Sequence, residues 1–373
     1  MNRLTGVNYG DGYSQSYTFD PMGNRLTMTD AQQHVSTYNN ANMLLTLDGN
    51  PYTNDFNGNT LAGGGRTNTW DSQNRLRQCV YGATVSQFTY GSDGLRRTSN
   101  VNGTIRKYIL DNGMMVRETD ANGVSQATYL AGLRGPEYRR DDVNGGIKWY
   151  IFDGLGSVVA EMDGYTGALT ASRKLDVYGA PRATQGTPSS KHAFVGNLGH
   201  TTEPDTGGLV YMRARWMDPV TGRFLSEDPA RDGANWYGYC RGNPAGMVDP
   251  DGRSPLDVAG MLDYLRSWGI DLSGGNAAWQ AIFRYGGSMA TIAGMAALGI
   301  VCITGGVKAS ALALAAGLAS PLAGAAWALA SVAAIVFGLA LVTSAAALAI
   351  CESIDYMSTE PADYAGGRSR YRP

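Results

Sequence analysis

The chain has 373 residues, including 50 glycines and 21 tyrosines, and its formal net charge is only −2. Because basic residues are not in excess, the composition does not favour nucleic acid as a partner, and we expect none. Only three histidines are present and the four cysteines show no C-x-x-C spacing. The chain therefore has little material for a metal centre or a histidine-based triad, and we expect no metal and no cofactor.

The N-terminal stretch MNRLTGVNYGDGYSQSYTFD has no apolar core and no small-residue cleavage site. These are the features by which a secretory signal peptide is recognised. We therefore expect that the Sec pathway does not export this chain.

A short unit recurs through the first hundred residues. It reads FDPMGNRLT from Phe19, YNNANMLLT from Tyr38, NDFNGNTLA from Asn54, WDSQNRLRQ from Trp70 and YGSDGLRRT from Tyr90. Each unit joins a strand end to a turn of Asp, Asn and Gly, and then to a strand with alternating apolar residues. A unit this short cannot bury its own apolar face, so the units must stack. The sequence predicts an array of β-hairpins that continues more loosely over 108–132 and 149–182.

These units resemble the YD repeats of the Rhs (rearrangement hotspot) family. The segment GLVYMRARWMDPVTGRFLSEDPARDGANWYGYCRGNPAGMVDPDG, residues 208–252, is similar to the Rhs-associated core. The resemblance covers about two thirds of the chain and implies a mainly β fold. A YD-repeat sheet over 1–207 would form a partial shell, the core over 208–252 would plug it, and a variable effector would occupy 253–373. In the family that effector is often a polymorphic toxin, held inside the shell.

Two Asp-Pro steps bracket the end of the core. Two carboxylates held close together cannot both ionise easily, so such a pair retains a proton and could hydrolyse a peptide bond with water. In Rhs proteins and the related Tc-toxin C proteins, such a pair is implicated in self-cleavage after the second DPxG motif. By resemblance, the catalytic pair here would be Asp228 and Asp249. The candidate supporting residues are Asp218, Asp232 and Arg215.

The resemblance implies a cut at or shortly after Gly252-Arg253, and two departures bear on it. Arg231 occupies the glycine position of the first motif, and Arg253 stands where many relatives have leucine. The alternative is that this segment is only a turn-rich plug, because Asp-Pro steps are good turn formers. At most, the chain would be a single-turnover aspartyl self-protease.

The last 120 residues have a different composition. Residues 285–307 carry no charge, and neither do residues 309–351. About 20 apolar residues cross a bilayer as a helix, so these runs predict three membrane-spanning helices over 286–307, 309–327 and 329–351. The alternative is a set of soluble helices buried against the β-shell.

We therefore expect an Rhs-type toxin fragment whose shell encloses and releases a membrane-active C-terminal effector. Its partners would be membrane lipid, its own C-terminal segment, an immunity protein and a specialised secretion machinery, with a membrane-associated location. Two other interpretations stay open. The chain could be a membrane-anchored surface or adhesion protein without toxin activity, or a degenerate cassette without activity.

Overall fold

The computed structural model describes residues 3–132, 135–257 and 371–372. The chain divides into two compact units, one formed by Met1–Met261 with Tyr364–Pro373 and the other by Leu262–Asp363. The three predicted membrane-spanning helices lie outside the described residues. Among the residues that are described, the structure contains no helix with the length and apolar character to span a bilayer.

The described part of the chain is mainly β, as the sequence predicted. It opens with a two-residue strand, which is followed by a six-stranded antiparallel sheet whose strands pair in sequence order. These strands are β1 (Arg3–Leu4), β2 (Gly6–Asn8), β3 (Ser14–Phe19), β4 (Arg25–Thr29), β5 (Gln33–Tyr38), β6 (Leu44–Leu47) and β7 (Asn50–Pro51).

A fourteen-stranded antiparallel sheet comes next, and again each strand pairs with its neighbours in sequence. Its strands are β8 (Thr53–Asn54), β9 (Thr60–Gly63), β10 (Arg66–Trp70), β11 (Leu76–Tyr81), β12 (Thr84–Tyr90), β13 (Arg96–Val101), β14 (Thr104–Asp111), β15 (Met114–Thr119), β16 (Ser125–Gly132), β17 (Gly135–Asp141), β18 (Ile147–Phe152), β19 (Val158–Asp163), β20 (Leu169–Leu175) and β21 (Pro181–Gly186). We call β2–β21 the strip.

The repeated turn explains the Asp-x-x-Gly signature of the strip. At Asp120, one carboxylate oxygen accepts the backbone N–H groups of Asn122 and Val124, both at 2.9 Å. Gly123 adopts a φ of 87°, a conformation that glycine takes without a steric penalty. The same two hydrogen bonds, from backbone N–H groups to one carboxylate oxygen, recur at Asp55, Asp71, Asp153 and Asp176. Each turn is thus specified by residues within five positions of one another.

The two ends of the strip contact each other. Arg182 of β21 binds Asp11 at 2.7 Å, and the backbone N–H of Val177 donates to the Tyr9 hydroxyl at 2.9 Å. Gln15 of β3 donates to Asp176 at 3.4 Å. The strip therefore returns to its own beginning, which leaves an inner face for the segment that follows.

That segment, residues 190–257, forms what we call the core segment. Its elements are three 3-10 helices (Gly196–Leu198, Pro204–Thr206, Tyr239–Gly242), the four-stranded sheet of β22 (Thr201–Glu203), β23 (Leu209–Met212), β24 (Arg215–Asp218) and β25 (Arg223–Phe224), and the pair β26 (Met247–Val248) and β27 (Leu256–Asp257). A final strand, β28 (Tyr371–Arg372), pairs with β1.

The core segment packs on the inward-facing side chains of the strip. Phe88 of β12 contacts Trp216 of β24, with ring centroids 4.7 Å apart, in one buried apolar cluster with Leu76 and Leu209. Arg96 of β13 forms a buried ion pair with Glu203 at 2.7 Å. The strip and the core segment thus share one interior.

Candidate functional site

The second Asp-Pro motif lies in the connection between β26 and β27. Three successive carbonyl groups of this connection accept hydrogen bonds from other residues of the core segment. The Pro250 carbonyl accepts from Arg213 and His200, the Asp251 carbonyl accepts from the backbone N–H of Ala214 at 3.1 Å, and the Gly252 carbonyl accepts from Arg215. The backbone around the predicted cut is therefore fixed residue by residue.

Arg215 brings the two predicted catalytic aspartates together. Its Nη2 lies 3.4 Å from Oδ2 of Asp228 and 3.3 Å from Oδ2 of Asp249. Its Nη1 donates to the Trp236 carbonyl at 2.9 Å. All three charged side chains are at least 96% buried. One guanidinium thus holds two carboxylates that are more than 20 residues apart in sequence.

Arg215 and Asp249 also contact the two ends of the Gly252-Arg253 peptide bond. The Nε of Arg215 donates to the carbonyl oxygen of Gly252. Oδ1 of Asp249 accepts the backbone N–H of Arg253 at 3.0 Å and that of Ser254 at 3.2 Å. A cation therefore faces the carbonyl of this bond, and a carboxylate oxygen accepts the N–H at its other end.

Burial changes the acidity of this group of side chains. Removal from water raises the pKa of Asp249 to about 6, against the opposing effect of Arg215. Burial also lowers the pKa of Arg215, which the two carboxylates partly offset. A carboxyl group with a pKa near neutrality can hold a proton for transfer and release it at the operating pH.

Glycine is the only residue type that fits at position 252. Its φ is +75°, and a Cβ there would overlap the carbonyl oxygen of Met212 and lie 3.1 Å from the backbone nitrogen of Arg215. The chain therefore passes the site in close backbone contact with the strand that carries Arg215.

Two of the five predicted residues have other partners. Asp218 is fully buried but pairs with Arg66 of β10 at 3.1 Å, and so joins the core segment to the strip. Asp232 is exposed and pairs with Arg241 at 2.8 Å. The structure brings together Arg215, Asp228 and Asp249, and it gives Asp218 and Asp232 separate ion pairs.

The two departures from the family pattern are accommodated locally. Arg231 adopts a φ of 53°, the conformation that a glycine would take there, and its guanidinium lies 5.0 Å from the centre of the Trp236 ring. Arg253 is exposed, and its contact with Asp249 is made through its backbone N–H. Neither substitution removes a contact of the Asp228–Arg215–Asp249 cluster.

The sequence interpretation missed His200 and Arg213. The side chains of His192 and His200 are both completely buried. Burial lowers the pKa of His192 to about 4 and that of His200 to about 3, so both rings are neutral near pH 7. No local motif marks them, since their partners are backbone carbonyl groups.

Comparison with known proteins places this chain in a family. The family model of the teneurin YD-shell matches residues 1–234. The tRNA nuclease WapA of Bacillus subtilis is 30% identical over 306 residues, which are 77% of this chain and 13% of that protein. The tRNA3(Ser)-specific nuclease WapA of Bacillus spizizenii is 31% identical over 268 residues, 68% of this chain and 11% of that protein.

Toxin subunits are also among the relatives. The toxin subunit YenC2 of Yersinia entomophaga is 33% identical over 117 residues, 31% of this chain and 12% of that protein. In the crystal structure of TcdB2-TccC3-Cdc42, a chain with 16% identity superposes with a TM-score of 0.42 over 65% of this chain and 17% of that one. The chain spans only 11–13% of the length of these curated relatives.

These relatives correct one expectation. The composition suggested that nucleic acid is not a partner, but two of the relatives named above are tRNA nucleases. Overall net charge was a poor guide, because it averages over the whole chain and says nothing about a single effector region. The comparisons also lend no support to membrane lipid as a partner.

Proposed function

This chain belongs to the Rhs/YD-repeat family, and from that membership we propose that it is the shell-and-core part of a polymorphic toxin which cuts its own backbone after Gly252. The observation that carries the proposal is the contact of Arg215 and Asp249 with the two ends of the Gly252-Arg253 bond. The region from Arg253 onward would then be released as the effector.

The proposed reaction is hydrolysis of one peptide bond by one water molecule. Asp228 takes a proton from the water, whose oxygen attacks the carbonyl carbon of Gly252. Arg215 stabilises the negative charge that develops on the carbonyl oxygen. Asp249 gives its proton to the nitrogen of Arg253, and the C–N bond breaks. The products are a new carboxylate at Gly252 and a new amine at Arg253.

The pairing of the carboxylates supports this division of roles. Both carboxylates contact the same guanidinium nitrogen, and burial raises the pKa of Asp249. Asp249 is assigned as the proton donor because its Oδ1, which accepts the N–H of Arg253 in this structure, lies 3.0 Å from the leaving nitrogen, and because its pKa is raised to about 6. Asp228 contacts the same Nη2 of Arg215 and serves as the base.

A denaturing gel of the full chain tests the proposal. We expect a fragment ending at Gly252 in the parent and an intact chain in Asp228→Asn and Asp249→Asn. Asp232→Asn is the matched control, because Asp232 lies outside the cluster and is exposed. Acid must be avoided during preparation, since Asp-Pro bonds can break without a protein catalyst. An uncut parent, or equal cutting in all four proteins, would refute the proposal.

The finer part of the proposal concerns the released segment. Its 43 uncharged residues from Ala309 to Cys351 favour a membrane-active effector. Expression of residues 253–373 in bacteria, with membrane potential and tRNA integrity measured in the same culture, separates the possibilities. Rapid depolarisation is the expected result. Degraded tRNA at normal potential would identify a nuclease instead, and normal growth would favour an anchor or an inactive cassette.

A further inference from the structure

The Pro250 carbonyl, two residues before the proposed cut, is held by two side chains that the cleavage chemistry does not use. His200 donates to it from Nε2 at 3.2 Å, and Arg213 donates to it from Nη1. His200 is completely buried. A carbonyl with two side-chain donors is unusual for a surface turn, where water would serve equally well.

His200 and Arg213 both link the segment between β26 and β27 to the strip. The Arg213 guanidinium also donates to the carbonyl of Gly113, in the turn before β15, at 3.4 Å, and to the carbonyl of Leu198 at 2.9 Å. Arg213 itself adopts a φ of 57°, which a non-glycine residue adopts only when its surroundings fix it.

His200 is reached from the strip through a second histidine. The Tyr129 ring of β16 packs edge-on against His192, with centroids 5.2 Å apart, and His192 donates from Nδ1 to the carbonyl of His200 at 3.0 Å. This fixes the backbone of His200 and leaves its Nε2–H directed at Pro250. The contacts form a continuous series from the sheet to the cleavage segment.

We propose that His200 and Arg213 are positioning residues that fix the Pro250 carbonyl and thereby set which peptide bond reaches Asp228 and Asp249. The inference rests on the proposed self-cleavage. It extends that function by making the strip a structural part of the protease site. With the Pro250 carbonyl released, the segment can shift along β24, so that the Gly252-Arg253 bond no longer lies between Arg215 and the Asp249 carboxylate.

The test compares donor-removing and donor-retaining variants of the full chain. His200→Leu removes the hydrogen bond, whereas His200→Gln keeps a donor of similar reach. Arg213→Met and Arg213→Lys form the second pair. Each is refolded from urea, the cleavage rate is followed on a gel, and the fragment ends are identified by mass spectrometry.

We expect His200→Leu and Arg213→Met to cut about tenfold more slowly, as the loss of one net hydrogen bond implies. Their products should carry several different ends around Gly252. His200→Gln and Arg213→Lys should restore a single end. A merely destabilising substitution would slow the reaction without changing the bond that is cut. Parent-like rates and a single end in the donor-removing variants would overturn the inference.

A second measurement separates this inference from the proposed function. Hydrogen exchange at the Arg253 and Ser254 amides is measured in Asp228→Asn, which should not cut itself, with and without His200→Leu. Faster exchange with His200→Leu supports the positioning role, even if the parent chain proves uncut and the proposed function fails. Unchanged exchange contradicts the positioning role whether or not the parent is cut.

Discussion

The strip and the core segment are built by different kinds of interaction. In the strip, Asp120 fixes its turn through amides two and four residues away, and the same pattern recurs along the sheet. In the core segment, Arg215 binds a carboxylate 34 residues away, and the Asp218 carboxylate is bound by Arg66, 152 residues away. Local bonds make the strip repetitive and tolerant, whereas long-range buried polar bonds make the core segment specific and sensitive to substitution.

Neighbouring arginines on β13 provide the strongest test of this difference. Arg96 is buried against Glu203, with its guanidinium 4.6 Å from the centre of the Tyr211 ring, whereas Arg97 forms an exposed pair with Asp93. Arg96→Met should lower the free energy of unfolding by about 3–5 kcal/mol, because it leaves one carboxylate of a buried network short of a partner.

Arg97→Met is the matched control on the outer face of the same strand. It should change the free energy of unfolding by less than about 0.5 kcal/mol, as exposed ion pairs do. Urea unfolding of both variants measures the contrast. Equal losses of unfolding free energy in the two variants would mean that the buried Arg96–Glu203 pair contributes no more to stability than the exposed Arg97–Asp93 pair does.

Two glycines with the same backbone conformation give the next largest effect. Gly252 and Gly233 have φ values of +75° and +72°, but a Cβ would meet backbone atoms only at Gly252. Gly233→Ala should cost about 1 kcal/mol for the left-handed conformation alone. Gly252→Ala should cost about 1–3 kcal/mol more through overlap, and should stop cleavage. Urea unfolding and a denaturing gel measure both effects, and similar unfolding energies would show that the contact with Met212 can relax.

The acidity of Asp249 predicts a pH dependence of self-cleavage. Its pKa is raised from 3.8 to about 6, and in the proposed reaction the protonated form gives up the proton. The rate should therefore fall about tenfold per pH unit above about pH 6. Refolding at a series of pH values between about 5 and 8 measures this. A rate that rises through the same range would exclude Asp249 as the proton donor.

The same shift carries a stability effect with a defined sign. The folded chain holds a proton on Asp249 at pH values where the unfolded chain has lost it. The stabilisation from Asp249 is complete below about pH 4 and is lost as the pH rises through about 6. Asp249→Asn should remove this part of the pH dependence of unfolding.

The sequence predicted the strip well because its signals are local. Asp, Asn and Gly at fixed spacing identify turns such as those at Asp55 and Asp71, and alternating residues identify the inner face. The candidate pair Asp228 and Asp249 was predicted from resemblance to a family motif. The structure adds that both carboxylates contact Nη2 of Arg215, which is positioned by β24.

Other features could not be predicted, because they depend on contacts between distant parts of the chain. The partner of Asp218 is Arg66, which no spacing rule connects to it. His200 and Arg213 bind a backbone carbonyl, which leaves no signature in the partner residue. Overall net charge likewise did not anticipate that tRNA nucleases are among the relatives, since it averages over the whole chain.

The smallest predicted effect concerns Arg231, which occupies a glycine position in the first Asp-Pro motif. Its left-handed φ of 53° costs about 1 kcal/mol, and its contact with the Trp236 ring returns about 0.5–1 kcal/mol. Arg231→Gly should therefore change the free energy of unfolding by less than about 0.5 kcal/mol and leave cleavage unaltered. Arg231→Ala keeps the unfavourable φ but loses the ring contact, so it should be about 1 kcal/mol less stable than Arg231→Gly.

That difference is measured by urea unfolding of the two variants side by side. A clear gain in cleavage for Arg231→Gly would mean that the substituted glycine impairs the site after all. Equal stability of Arg231→Gly and Arg231→Ala would mean that the left-handed φ at position 231 carries no cost in free energy. The expected result would group Arg231 with the tolerant, locally bonded residues of the strip. Arg231 lies close to Asp228 in sequence, but its side chain makes a local contact with Trp236. The site requires only the backbone conformation of this residue.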